Sequence, residues 1–130
     1  MEPTMKGTTL IYRPGEAAPE AQTHTESPSL EFLQAVVGGY IEAVPDWGTI
    51  EIDGKVFPCV VYCNEEGKLT EGMLVNHRAT ILWDQALRRV VHDGKPAYPN
   101  GLLRADGNPI DMLLGPIIVV TGDPEFMRSL

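Results

Sequence analysis

The chain has 130 residues, 43% hydrophobic and 22% charged, which suits one soluble domain with a core of its own and no need of metal or disulfide staples. Eighteen acidic residues against ten basic ones leave a net charge of -8, which argues against direct binding to nucleic acid or to an anionic membrane surface. No apolar run nears the roughly 20 residues of a membrane-spanning helix, and MEPTMKGTT has neither a basic nor an apolar signal region, so a cytoplasmic protein is expected.

In chain order, TTLIYRP predicts a first strand, with Pro14 at its end. Residues 15–28 have no apolar period and predict a solvated connection, so 13–28 is expected to be a loop. Ser27 is the expected cap of a helix with Pro28 at its first position. Leu30, Leu33, Val36 and Val37 recur at helical spacing, and Gly38-Gly39 stops the run. YIEAV predicts a strand ending at Pro45. WGTIEIDGKVFPCVVYC predicts a hairpin, because Asp53-Gly54 suits a type I′ turn whose two central residues need positive φ. Pro58 cannot donate to a ladder, so the returning strand should be bulged or open on one side there. The NEEGK turn leads to an expected short strand near Lys68–Leu69.

The main helix has the clearest pattern. Asn76 is its expected cap, and Ala79, Leu82, Trp83, Ala86, Leu87, Val90 and Val91 form one apolar face that Gly94 ends. Asp84 and Arg88 should pair at i,i+4, and Arg88 and Arg89 meet the negative end of the dipole. Residues 93–111, rich in Pro and Gly, predict a long loop that is either functional or disordered. MLLGPIIVV predicts a strand buried on both faces, and Asp123-Pro124 a short final helix. The whole predicts an α+β fold in one domain spanning 1–130: a mixed, mostly antiparallel sheet of about five strands with two helices packed on it.

Cys59 and Cys63 would stand about 13 Å apart on an extended strand, beyond the roughly 7 Å reach of a disulfide. Both should be buried thiols on one face. His24, His77 and His92 lack ligand-like spacing, so no metal and no cofactor are expected.

VGGYIEAV at 37–44, NEEGKL at 64–69, NHRAT with the following LW at 76–83, and GPIIVVTGD at 115–123 together resemble a family of small uncharacterised proteins from phages, plasmids and other mobile elements. The resemblance implies a mobile-element origin and this order of elements, and it supplies no activity or catalytic residue.

Functional residues must therefore come from local chemistry. The start of the main helix exposes unpaired N–H groups, so Asn76, His77, Arg78 and Thr80 could together hold a phosphate or carboxylate. Arg78 is a cation at the end of a helix that favours acids. The structural alternative is that Asn76 only caps and that Arg78 pairs with Glu65, Glu66 or Glu71. Trp47, in the PDWG turn, and Tyr40 are candidate stacking rings, whereas the helical period sends Trp83 to the core. Glu65-Glu66 at a turn tip reads as a solvated loop, with no His, Lys or Ser placed by sequence to act with it. No GxSxG, Walker loop, HExxH, GxGxxG after a strand or CxxC pair occurs, so an enzyme is not favoured.

Two functions follow as expectations. One is a non-enzymatic binder of a small anionic, nucleotide-like ligand that sequesters a host-defence signal. Such a ligand is best buried between subunits, so this reading predicts a homo-oligomer with 93–111 as a lid or interface. The other starts from the charge: residues 1–66 hold eleven Asp/Glu and three Lys/Arg, and residues 67–130 hold seven of each. An acidic N-terminal half could block a basic host protein such as a nuclease by mimicking nucleic acid.

Overall fold

The run Ile117–Val120 is apolar without alternation because both of its faces are covered. In the computed structural model, which describes residues 6–89, 101, 102, 106 and 110–130, it lies at the centre of a sheet. The elements in chain order are β1 (Gly7–Tyr12), β2 (Glu20–His24), α1 (Leu30–Val37), β3 (Ile41–Ala43), β4 (Thr49–Ile52), β5 (Lys55–Asn64), α2 (His77–Arg89), β6 (Ile117–Gly122) and α3 (Pro124–Arg128). The strand order is β2-β1-β6-β5-β3, with β4 paired to the first part of β5. Among the described residues all five strand pairings are antiparallel, in keeping with the expected α+β, mostly antiparallel sheet.

Side chains of β6 alternate between two cores. Ile117 and Val119 pack with Trp83, Ala86 and Leu87 of α2. Ile118 and Val120 pack with Leu33 and Val37 of α1 and with Phe126 of α3. Each of these four β6 side chains is fully buried, contributing about 1.5–3 kcal/mol. Two helices therefore share one face of the sheet and α2 covers the other.

Local signals explain most boundaries. Asp53 and Gly54 have φ of 51° and 80°, as the turn between β4 and β5 requires. Gly38, at φ 81°, ends α1, and Asp123 caps α3 by accepting from the Phe126 N–H. Pro58 falls where β5 changes partners: Thr49 opposes Pro58 on β4, and the β6 pairing begins at Cys59. The missing N–H thus lies at a handover and not inside a continuous ladder.

Several expectations are corrected. The connection at 15–28 contains β2, which pairs with β1 from Gly7↔His24 to Ile11↔Glu20. As an edge strand it needs no apolar face, so it has no alternating pattern. The cap of α1 is Ser29, not Ser27: the Ser29 hydroxyl accepts from the Phe32 N–H at 3.1 Å. Residues 68–69 form a turn, the Leu69 N–H donating to Glu66 O, and the extended contact in this region is instead the Val75↔Leu114 bridge. The predicted end of the main helix through Val90 and Val91 to Gly94, and most of the 93–111 loop, lie outside the described residues. The Asp84–Arg88 pair forms at 3.0 Å. Asp84 also accepts from the Leu102 N–H at 2.7 Å, which fixes that part of the chain on α2.

Candidate functional site

Asn76 caps α2 as its residue type requires, the Oδ1 accepting from the Ala79 N–H at 3.1 Å. Its Nδ2 donates to Tyr12 O at 2.8 Å and to Gly115 O at 2.9 Å. Asn76 is only 1% exposed, so its amide joins three segments and has no donor left for a ligand. Thr80 is similarly committed. Its hydroxyl donates to Asn76 O at 2.9 Å and accepts from the Leu113 N–H at 3.0 Å. His77 and Arg78 are exposed. The Arg78 guanidinium lies 5.9 Å from the centre of the Tyr12 ring, near the limit of a cation–π contact. Among the described residues no carboxylate lies within 4 Å of it, so the expected partners Glu65, Glu66 and Glu71 do not engage it.

Trp47 corrects the expectation of an exposed ring in a turn. Val44 N–H donates to Val61 O and Cys59 N–H to Gly48 O, so residues 45–47 are an insertion between two paired stretches on the same side of β5. The inserted chain turns Trp47 inward, where it is 2% exposed in the core beneath α2. Its Nε1 donates to Thr49 O, and Trp83 Nε1 donates to Pro45 O across the same insertion. Tyr40 is 71% exposed. It stands beside the NEEGK turn, its carbonyl accepting from the Glu65 N–H at 2.9 Å. Among the described residues no hydrogen bond or ring contact joins Tyr40 or Trp47 to His77 or Arg78. Of the six sequence candidates, Asn76, Thr80 and Trp47 are thus buried and bonded within the fold, and Tyr40, His77 and Arg78 are the exposed ones.

The four stretches VGGYIEAV, NEEGKL, NHRAT and GPIIVVTGD meet in pairs. Asn64 Nδ2 donates to Val37 O at 3.0 Å, and its Oδ1 accepts from the Glu66 N–H at 2.8 Å, which ties the end of α1 to the turn after β5. A Cβ on Gly39 would stand 2.9 Å from Asn64 Nδ2. VGGYIEAV and NEEGKL thus converge on Asn64, as NHRAT and GPIIVV converge on Asn76.

Beside the Asn64 anchor opens a cleft of about 210 Å³. Val44, Trp83 and Leu113 supply apolar lining, and Glu42, Glu65, Glu66 and Asp111 supply carboxylates, with Lys68 as the one cation among the lining residues. Lys68 Nζ is bonded to Asp111 Oδ1. Only Glu65 and Glu66 were conspicuous in the sequence. Glu42, Lys68 and Asp111 come from β3, the turn and the segment before β6, and no local pattern links them.

The sequence profile of a domain of unknown function, DUF3846, matches residues 5–129. The chain belongs to this family. No curated protein and no solved structure matches it.

Cys63 also lines the cleft of this DUF3846 domain. Burial first, then the nearby Glu42, pushes its thiol up to about 11. Cys59 lies deeper, and burial pushes it up to about 12. Both are free thiols, and both are held protonated at neutral pH, which disfavours nucleophilic use. Among the described residues no group of three or more His, Cys, Asp or Glu is placed to hold a metal ion, and no helix is long and apolar enough to cross a membrane.

Proposed function

We propose that this DUF3846 protein is a non-enzymatic binding module whose cleft receives a cationic side chain from a basic partner protein. In this reading it is an acidic inhibitor, encoded by a phage or other mobile element, that blocks a host nuclease or similar protein by presenting nucleic-acid-like charge. The observation that carries the reading is the composition of the cleft: an apolar lining of Val44, Trp83 and Leu113 beside four carboxylates and one ammonium. A lysine or arginine has the matching shape, an apolar stem with a charged head. The Lys68–Asp111 pair already holds an ammonium at this cleft. The raised thiol of Cys63 supports binding over covalent catalysis.

The test is capture of host proteins on the immobilised chain, repeated with the triple substitution Glu42→Gln, Glu65→Gln and Glu66→Gln. The expected result is a basic partner that is lost on the triple variant and released at about 0.5 M salt, where screening shortens to a few ångströms. A partner that survives both treatments, or that is lost on Arg78→Ala instead, removes the reading.

One observation favours a second reading. The Arg78 guanidinium is exposed at the start of α2, without a carboxylate partner among the described residues. With His77 beside it, it could engage a small anionic, nucleotide-like ligand. Calorimetry against cyclic dinucleotides and cyclic ADP-ribose-type molecules should then give heat that Arg78→Ala abolishes. Silence across the panel removes this second reading and leaves the first untouched.

A further inference from the structure

One outer edge of the sheet is β2, whose far side pairs with no strand among the described residues. A free edge recruits other strands unless it is blunted, commonly by a lysine, a proline or a bulge. β2, with the sequence EAQTH, is short and carries one charge at its start, Glu20, but it has no lysine, proline or bulge, and its register with β1 runs unbroken from Glu20 to His24.

We propose that β2 is a homodimer interface, in which two copies of this chain pair β2 with β2 antiparallel about a two-fold axis at Gln22. The register follows from the strand itself. A two-fold axis perpendicular to the sheet keeps each face with its like, so opposed residues must share a face and allowed registers differ by two residues. Centring on Gln22 opposes all five residues, whereas centring on Ala21 or Thr23 loses two of them. Centring on Gln22 also places Glu20 of each copy opposite His24 of the other. The Glu20 carboxylate, which already accepts from Arg13 and Gln22, has further lone pairs for the His24 nitrogen that Thr9 does not engage. Glu20 and His24 share a face with Gln22, because Gln22 opposes Thr9 and the Thr9 hydroxyl is 2.9 Å from His24 Nε2. The His24 ring is steadied edge-on by Phe32 of α1 at 5.8 Å. Ala21 and Thr23, on the other face, are small and exposed, so they oppose each other without obstruction. Two six-stranded sheets then join edge to edge. This interface lies on β2, which supplies no residue to the cleft.

Light scattering and native mass spectrometry of the full chain at tens of micromolar should give a dimer. The double substitution Ala21→Lys and Thr23→Lys alters two exposed side chains and sets lysine opposite lysine at both Ala21–Thr23 pairings. It should raise the dimer Kd about tenfold or more. It also lowers the net negative charge of each copy, so a general charge effect would act the other way. Ala21→Glu with Thr23→Lys sets unlike charges opposite in the same register and should dimerise at least as tightly as the unaltered chain. Circular dichroism checks that both variants are folded. A monomer under these conditions, a dimer indifferent to the lysine pair, or equal loss in both variants would overturn the proposal.

Discussion

Replacing Asn76 by alanine should be among the most damaging single changes to this protein that leave its apolar core intact. The amide accepts from the Ala79 N–H and donates to Tyr12 O and Gly115 O, all within 3.1 Å and out of contact with water. Loss of the cap costs about 1 kcal/mol. Each of the two carbonyls left short of a donor adds about 1 kcal/mol. The sum is about 3 kcal/mol, which for a chain of this size lowers Tm by roughly 10 °C. Urea unfolding followed by circular dichroism measures it at fixed protein concentration, with Asn76→Asp as the informative control. That variant keeps the capping oxygen but turns a carboxylate oxygen toward the two carbonyls that Asn76 Nδ2 now serves. At neutral pH it should therefore be at least as unstable as Asn76→Ala. Its carboxyl is more costly to ionise in the fold than in the unfolded chain, so its folded pKa is raised. Relative to the unaltered protein, the variant should be best below the unfolded value of about 4 and lose stability as pH rises above it. A cost under about 1 kcal/mol for Asn76→Ala would refute the account of Asn76 as the tie between three segments. So would Asn76→Asp proving the more stable variant at pH 7.

Two further outcomes follow from burial and close packing. The thiols of Cys59 and Cys63 are raised from 9.0 to about 12 and about 11, with burial as the first cause. The unfolded chain ionises first, so stability should fall as pH rises from about 9 toward these folded values. Tyr12 and Tyr62 are raised by burial as well and act in the same direction. Cys63, half-buried where the sequence suggests a buried thiol, should on change to Ser reduce the slope of urea midpoint against pH over that range, and an unchanged slope would count against its partial burial as the cause. A Cβ on Gly7 would overlap the Phe126 ring, whereas one on Gly48 would meet nothing within 4 Å. Gly7→Ala should therefore cost about 2 kcal/mol or more by displacing Phe126. Gly48→Ala should leave the urea midpoint nearly unchanged.

The sequence by itself determined those elements whose signal is carried by neighbours along the chain. The apolar stripe through Ala79, Trp83 and Leu87 needs only helical geometry, and Asp53-Gly54 needs only its own backbone angles. The unbroken run at β6 announced a strand covered on both faces before either helix was placed. The cap at Asn76 was legible for the same reason, since its Oδ1 serves an N–H three residues away. Tertiary structure decided what these residues do beyond their own segment. The acceptors that consume the rest of the Asn76 amide lie 64 and 39 residues distant, and no local pattern could announce them. Trp47 looked exposed because it sits in a turn, yet the inserted residues 45–47 fold that turn under α2. β2 was invisible because its partner is the backbone of β1, and backbone pairing at an edge leaves no mark on the side chains. The acidic cleft has the same origin: Glu42, Lys68 and Asp111 meet only when β3, the turn after β5 and the segment before β6 are brought together.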